Sequence, residues 1–214
     1  MKVILWDWNG TLLNDTPVTA DIFNMLRIEC GYAPISVEQY RDLYRHPIRE
    51  MYEDAGMDLS RHSFEWLAAR WSDIYRTYHS PATLHDDALS VLQAFQERGT
   101  RQAILSALPH HILQQSVKAH EINHFFETIH GATDALGHSK IEMGKEVAQN
   151  LGLAGKEITI IGDSTHDAEV AQELGAHCFL VPRGAESESR LRRAGFPMCE
   201  NLLEVYKQMH GKPS

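Results

Sequence analysis

Residues 157–175 read EITIIGDSTHDAEVAQELG and contain the pattern of one strand, one turn and one helix. The apolar run at 157–162 is short and continuous, which is typical of a strand buried on both faces of a parallel sheet. A helical pattern at 165–174 follows it and stops at Gly175, because glycine often closes a helix. Another apolar run covers 177–181. The stretch therefore predicts a complete β-α-β unit.

The same alternation occurs earlier in the chain. Residues 2–8 and 102–108 are two further short apolar runs, and helical patterns at 87–98 and 145–151 precede the later runs. Strands that alternate with helices of this length indicate a parallel sheet. We therefore predict an α/β fold whose core is a three-layer, Rossmann-like parallel sheet.

Residues 15–80 interrupt this alternation, because they contain no strand candidate. Helix-like segments cover residues 18–29, 37–43, 48–55 and 63–77. Turn-rich residues at 14–17 and 80–84 flank the interruption. We therefore predict an all-helical cap domain of residues 15–80, inserted after the first strand. The catalytic core would then consist of residues 1–14 and 81–214.

Composition excludes several classes of protein. The chain of 214 residues has 20 basic and 29 acidic side chains, a net charge of −9, which disfavours a nucleic-acid partner. No apolar stretch approaches the ~20 residues of a membrane helix. The three cysteines form no CxxC pair, so they indicate reduced thiols rather than disulfides or a zinc site. We expect a cytoplasmic protein that binds neither nucleic acid nor membrane; the oligomeric state stays open.

The carboxyl ends of the predicted strands carry the polar residues of interest. In open parallel sheets, ligands bind beyond these ends. Here the ends are residues 7–11 (DWNGT), Ser106 and residues 162–167 (GDSTHD). Acids on neighbouring strands would lie close together, which is costly unless a cation separates them. Oxygen ligands of this kind suit Mg²⁺, and carboxylates with a hydroxyl, a lysine and a metal favour phosphoryl transfer.

Each of these motifs also has a purely structural interpretation. The dipeptide Asn-Gly at 9–10 is a hairpin-turn signal, and Ser164 with Asp167 matches a capping box. Ser106 would be a small residue at a strand end, and Lys140 a solvated lysine. Only the combination favours a catalytic site.

That combination resembles the haloacid dehalogenase superfamily, and within it the phosphoglycolate-phosphatase-like enzymes with a helical C1-type cap after the first motif. Residues 7–12 (DWNGTL) resemble the first motif, and Ser106 at the end of AILS resembles the second. The third motif is a lysine, either Lys140 in HSKIEMG or, as the alternative, Lys145. Residues 162–167 resemble the fourth. The likeness covers nearly the whole chain.

The resemblance implies a role for each position. Asp7 would be the nucleophile that forms an aspartyl-phosphate, and Lys140 would neutralise charge on it. The implied catalytic set is Asp7, Asn9, Ser106 and Lys140. The implied Mg²⁺ ligands are Asp7, Asp163, Asp167 (directly or through water) and the backbone carbonyl of Asn9. In the core, the residues implied in phosphate binding are Ser106, Trp8, Gly10 and Thr11, the turn at 8–10 through its amides.

Position 9 departs from the family pattern. Phosphatases of this family usually have a second aspartate there, which protonates the leaving oxygen and then activates water. The amide of Asn9 has no titratable proton near neutral pH. The loss matters most for alkoxide leaving groups and least for acyl phosphates or anhydrides.

Several explanations of Asn9 stay open. His166 or His46 would transfer the proton instead, or the substrate would need none, or Asn9 is an engineered replacement. The leading hypothesis is a Mg²⁺-dependent phosphatase for small phosphorylated metabolites. The alternative is a catalytically weak protein that binds a phosphorylated ligand or acts as a regulator on the same fold.

The cap would select the substrate. Arg45, His46 and Arg49 begin a helical segment whose N-terminus favours an anion. Equally, the two arginines would form one solvated helix face. If the cap contacts the substrate, we expect a small anionic phosphate ester of the phosphoglycolate type.

Two kinds of relative that also lack the second aspartate are disfavoured. Phosphonate-cleaving members need a cap lysine for a Schiff base, and this chain has no lysine between Lys2 and Lys118. Dehalogenases lack the acid pair that Asp163 and Asp167 form here.

Overall fold

The computed structural model describes residues 2–78, 82–132 and 140–210. Their strands are β1 Val3–Trp6, β2 Leu13–Asn14, β3 Thr83–Leu84, β4 Arg101–Pro109, β5 Thr128–Ala132, β6 Ile158–Gly162 and β7 His177–Leu180. Their α-helices are α1 Thr16–Glu29, α2 Val37–Leu43, α3 Ile48–Asp54, α4 Phe64–Tyr78, α5 Ala88–Glu97, α6 His110–Ala119, α7 Lys140–Leu151, α8 Thr165–Leu174, α9 Glu188–Leu191 and α10 Leu202–His210.

The sheet of the core has five parallel strands in the order β5-β4-β1-β6-β7. β1 lies at its centre and is fully buried. Ile4 and Trp6 pack on one face with residues of α5, α6 and α10, whereas Val3 and Leu5 pack on the other with α7 and α8. Helices therefore cover both faces of the sheet, and the predicted three-layer α/β fold is confirmed.

Helix α7 begins earlier than the sequence pattern predicted. The expected start was residue 145, but the helix begins at Lys140. Gly144 concealed the first turn, since glycine is a poor helix former. In the structure it has a packing function: a Cβ there would lie 3.0 Å from Val170 Cγ1, so the glycine lets α7 approach α8 closely.

Helices α1 to α4 follow one another between β2 and β3, in good agreement with the four predicted segments. They share a hydrophobic cluster of their own that includes Phe23, Leu26 and Leu67. The short strands β2 and β3 pair antiparallel and join the two connections to the core.

The domain limits at 14/15 and 80/81 stay a prediction, and residues 79–81 lie outside the described part of the chain. No helix of the described residues has both the length and the hydropathy that crossing a bilayer requires.

Candidate active site

Three buried carboxylates meet at the carboxyl edge of the sheet. Trp6, the last residue of β1, pairs with Ile161 of β6, so Asp7 and Asp163 follow their strands at the same edge. Asp167 joins them from the first turn of α8. Each of the three acids has an oxygen within 4.8 Å of an oxygen of the others, and all are buried.

Lys140 lies among these acids. Its Nζ is 2.5 Å from Asp7 Oδ1 and 2.6 Å from Asp167 Oδ1, and the side chain is buried. Lys145, one turn further along α7, is half-exposed and pairs with Glu142 at 3.4 Å. The helix therefore brings Lys140, and not Lys145, to the carboxylates.

The charges of the cluster do not balance. Burial raises the pKa of Asp7 to about 6, although Lys140 counteracts this shift. Burial, followed by the charges of Asp7 and Asp167, raises the pKa of Asp163 well above its usual range. Burial is the largest influence on Asp167 and opposes its ionisation, but the charge of Lys140 and the hydrogen bonds from Lys140 and Ser164 together outweigh it and lower the pKa. Three acids thus share one ammonium group, and no cation of the described residues pairs with Asp163.

Asp167 has both a structural and an electrostatic role. The predicted capping box at the start of α8 is present: Ser164 Oγ accepts a hydrogen bond from Asp167 N at 3.3 Å. In return, Asp167 Oδ2 accepts from Ser164 N and Oγ, while Oδ1 faces Lys140. The cap of α8 thus orients the carboxylate toward the lysine, and the two interpretations of this motif are compatible.

Two loops hold Asp163. Thr11 Oγ1 donates to Oδ1 at 2.9 Å, and the amide of Ala185 donates to Oδ2 at 2.9 Å. A Cβ on Gly10 would lie 2.4 Å from Asp163 Oδ2, and one on Gly184 1.8 Å from it, so both loops need glycine to approach the acid. The side chain of Thr11, predicted among the phosphate-binding residues, is fully buried and supports Asp163; its part in phosphate binding stays a prediction. The loop after β7 escaped the sequence analysis because no motif marks it.

The sequence of the chain is also similar to that of known proteins with this kind of fold. The model of the family described as haloacid dehalogenase-like hydrolase matches residues 4–181. The chain belongs to the haloacid dehalogenase-like hydrolases. The predicted family and the predicted enzyme class, a phosphatase-type hydrolase, are therefore confirmed.

Individual relatives are distant but match most of the chain. A phosphoglycolate phosphatase of Aliivibrio fischeri is 24% identical over 196 residues, 86% of this chain and 85% of that protein. One of Rhodobacter capsulatus is 27% identical over 187 residues, 85% of this chain and 84% of that protein. The crystal structure of a predicted phosphatase from Clostridium acetobutylicum covers 97% of both chains with a TM-score of 0.85 at 15% identity. This last likeness concerns the fold.

Several residues of this haloacid dehalogenase-like site have contacts other than those predicted. The indole of Trp8 is fully buried beside His120, so only its backbone is available to a ligand. The Gly10 amide, predicted to bind phosphate, instead donates to Leu13 O at 2.8 Å and to Asp15 Oδ1 at 2.9 Å.

Ser106 lies inside β4 rather than at its end. The strand continues to Pro109, and its pairing with β5 shifts register between Leu105 and Pro109. The hydroxyl is buried and accepts from Leu108 N at 3.2 Å. Irregular pairing of this kind often re-aims a side chain next to an active site.

Asn9, the residue that departs from the family pattern, is held by two groups that the sequence analysis missed. Its Nδ2 donates to Asp15 Oδ2 at 2.5 Å and to the hydroxyl of Tyr75 at 3.0 Å. Asp15 precedes α1 and makes no capping bond with its side chain. Burial raises its pKa to about 6. The sequence showed Asp15 as a turn residue, and no periodicity connects it or Tyr75 with Asn9.

The two histidines proposed as proton donors lie together. The rings of His46, between α2 and α3, and His166, in α8, have centroids 4.4 Å apart. Burial, and next the charge of His166, lowers the pKa of His46 to about 3. Burial, and next the charge of Lys140, lowers that of His166 to about 4. Both rings are therefore neutral near pH 7, and because burial disfavours the imidazolium form, neither is suited to donate a proton or to act as a strong base.

The arginines of the cap segment divide into two groups. Arg45 pairs with Glu50 and Asp54, and Arg49 pairs with one carboxylate of α3 and one of α4, which favours the solvated-face interpretation. Arg41, in contrast, reaches the core: its Nε donates to Gly184 O at 3.0 Å. The sequence analysis did not single out Arg41, because nothing in the helical pattern distinguishes it.

Proposed function

We propose that this protein hydrolyses small phosphorylated metabolites in a Mg²⁺-dependent reaction that passes through an aspartyl-phosphate on Asp7. The observation that carries the proposal is the ion pair of Lys140 with Asp7, 2.5 Å from Nζ to Oδ1, beside two further buried acids. A lysine in contact with the nucleophile offsets the negative charge that an incoming phosphate adds. Family membership supports the same chemistry.

The donors of the cluster fit Mg²⁺. They are oxygen atoms only, they lie close together, and burial with two neighbouring carboxylates disfavours the negative charge of Asp163, which a cation would relieve. Asp7, Asp163 and the backbone carbonyl of Asn9 would bind the ion. Asp167 would act through Lys140 or through a water molecule, because both of its oxygens already have partners. Bound Mg²⁺ would neutralise charge on the phosphate oxygens.

The protein's own groups would carry out the covalent step. Lys140 contacts Asp7 Oδ1, and the other carboxylate oxygen, Oδ2, would attack phosphorus. The hydroxyl of Ser106 and the amide of Trp8 would hold phosphate oxygens, as the resemblance implies. Thr11 would act indirectly, since it orients Asp163. Water would then release phosphate from Asp7.

Two relatives are named phosphoglycolate phosphatases, so phosphoglycolate is the first compound to test. A phosphoglycolate-type substrate is the expectation from the resemblance, and the substrate panel tests it against phosphates with better leaving groups. The cytoplasmic location also stays a prediction, which the three free, buried cysteines support. The second candidate function is a weakly catalytic phosphate-binding or regulatory protein. Asn9 favours it, because the side chain supplies no general acid.

The experiment is a panel of phosphorylated metabolites assayed for phosphate release with Mg²⁺ and with EDTA. We expect turnover that EDTA abolishes and added Mg²⁺ restores. Asp21→Asn, a change of an exposed acid on α1, serves as the control for Asp7→Asn. Tight binding of a phosphate compound without turnover of any would favour the second candidate. Turnover that persists in Asp7→Asn would contradict the covalent route.

A further inference from the structure

The hydrogen bonds of Asn9 limit what its side chain can do. An amide nitrogen carries two N–H bonds, and the carbonyl oxygen is an acceptor only. Nδ2 of Asn9 donates to Asp15 Oδ2 and to the hydroxyl of Tyr75, so both N–H bonds have acceptors. Oδ1 accepts no hydrogen bond from the part of the chain that the structure describes, so it is the atom that remains for a substrate or a water. Asn9 can therefore accept a hydrogen bond at the reaction centre but cannot deliver a proton there.

The two side chains that accept hydrogen bonds from Asn9 lie in the interior of the protein. Asp15 is 1% exposed and Tyr75 is 0% exposed, whereas Asn9 itself is partly exposed. The two oxygens of Asp15 accept from Gly10 N and Asn9 Nδ2. Asp15 is thus a positioning residue: it fixes the orientation of the Asn9 amide and the path of the loop behind the nucleophile.

We propose that the protein acts on phosphates whose leaving group departs as a stable anion without a proton, namely acyl phosphates or phosphoanhydrides, rather than on alkyl phosphate esters. This inference rests on the proposed function and narrows its substrate class. Protonation of the leaving group contributes about 10²–10⁴-fold to catalysis when a general acid is present. An alkoxide needs that contribution, whereas a carboxylate or a phosphate ion does not.

Neither phosphoryl transfer to Asp7 nor the later hydrolysis of the aspartyl-phosphate needs a proton from position 9. In the first, Asp7 Oδ2 forms the bond to phosphorus while the bond from phosphorus to the leaving oxygen breaks, and the electron pair departs with a carboxylate or phosphate. In the second, water attacks phosphorus and the bond to Asp7 breaks. Both hydrogens of the water stay with the product as dihydrogen phosphate, and Asp7 regains its carboxylate.

The test compares two leaving groups in two forms of the enzyme. Acetyl phosphate and inorganic pyrophosphate represent the acyl and anhydride sources, and phosphoglycolate represents alkyl esters. The second form exchanges the pair, Asn9→Asp with Asp15→Asn, which keeps one acid, one amide and their hydrogen bond. Asn9→Asp alone would set two carboxylates 2.5 Å apart and endanger folding. Because acetyl phosphate is intrinsically more reactive, the deciding quantity is the ratio of kcat/KM values for acetyl phosphate and phosphoglycolate in each form.

We expect that ratio to fall by about 10²-fold or more in the exchanged form, because phosphoglycolate gains an acid that acetyl phosphate does not require. Thermal unfolding and Mg²⁺-dependent turnover of acetyl phosphate would show that the exchanged form is folded. An unchanged ratio would overturn this inference alone. So would wild-type turnover of phosphoglycolate that equals its turnover of acetyl phosphate and of pyrophosphate. Absence of turnover on every compound would overturn the proposed function and this inference with it. Turnover of pyrophosphate but not acetyl phosphate would support the inference and identify the anhydride as the source.

Discussion

The candidate site has a core side, formed by the carboxylates and Lys140, and a cap side, formed by the contacts of His46. Different forces stabilise the two sides. On the core side, Asp7, Asp163 and Asp167 surround Lys140 in buried ion pairs. On the cap side, the ring of His46 packs at a tilt of 30° against that of His166, and its Nε2 lies 3.4 Å from the hydroxyl of Tyr44. Buried charges are costly when one partner is removed, whereas a ring pair contributes about 0.5–1.5 kcal/mol. We therefore expect changes on the core side to affect the protein far more than changes on the cap side.

The largest effect is expected for Asp7→Asn. Loss of the nucleophile should reduce phosphate release by about 10⁴-fold or more, since covalent catalysis is then unavailable. The fold should survive, because burial already disfavours the charged form of Asp7. Rapid-quench experiments with a substrate radiolabelled in its phosphoryl group would check this. Acid-stable radiolabel should remain on the wild-type protein and be absent from the variant. An active Asp7→Asn form would remove the covalent step from the mechanism.

The next effect is expected for Lys140→Met. Two buried carboxylates would lose their shared cation, which should lower the free energy of unfolding by about 3–5 kcal/mol. Lys145→Met is the matched control on the same helix, and we expect it to stay within about 0.5 kcal/mol of the wild type. Urea unfolding of both variants makes the comparison. An equal decrease in the free energy of unfolding of the two variants would show that the buried ion pairs of Lys140 do not stabilise the fold more than the exposed ones of Lys145.

A smaller effect is expected when Mg²⁺ binds. An ion that binds only the folded state at about 100 times its Kd adds about 2.7 kcal/mol of stability. For a chain of this size that corresponds to roughly 5–10 °C in Tm. Differential scanning fluorimetry with and without Mg²⁺ should show this rise in the wild type and in Asp21→Asn, but not in Asp163→Asn. A rise that persists in Asp163→Asn would locate the ion elsewhere.

The smallest effect is expected on the cap side. His46→Ala removes one ring contact, so KM for the best substrate should rise about fivefold, equivalent to about 1 kcal/mol. Arg49→Ala should change KM by less than about twofold, because Arg49 already pairs with Glu53 of α3 at 3.8 Å and with Glu65 of α4 at 3.7 Å. Steady-state kinetics compares the two. A larger rise in Arg49→Ala would favour the anion-binding interpretation of residues 45–49.

The difference between the two sides also explains which elements the sequence predicted. β1 and β6 were predicted because a strand that is buried on both faces must be continuously apolar. β5 was missed because the first three residues of this edge strand are only partly buried, so its sequence lacks that run. In α7, the glycine at position 144 obscured a helical turn that packing against α8 stabilises.

The sequence by itself determined the α/β alternation and the acidic residues at the strand ends, because strand periodicity is local and the register of a parallel sheet brings those ends to one edge. It also determined that position 9 lacks a titratable group. Only the tertiary structure decided between Lys140 and Lys145, connected Thr11 with Asp163, and placed Asp15 and Tyr75 around Asn9. Those contacts join residues from separate elements, and long-range packing leaves no periodic trace in the chain.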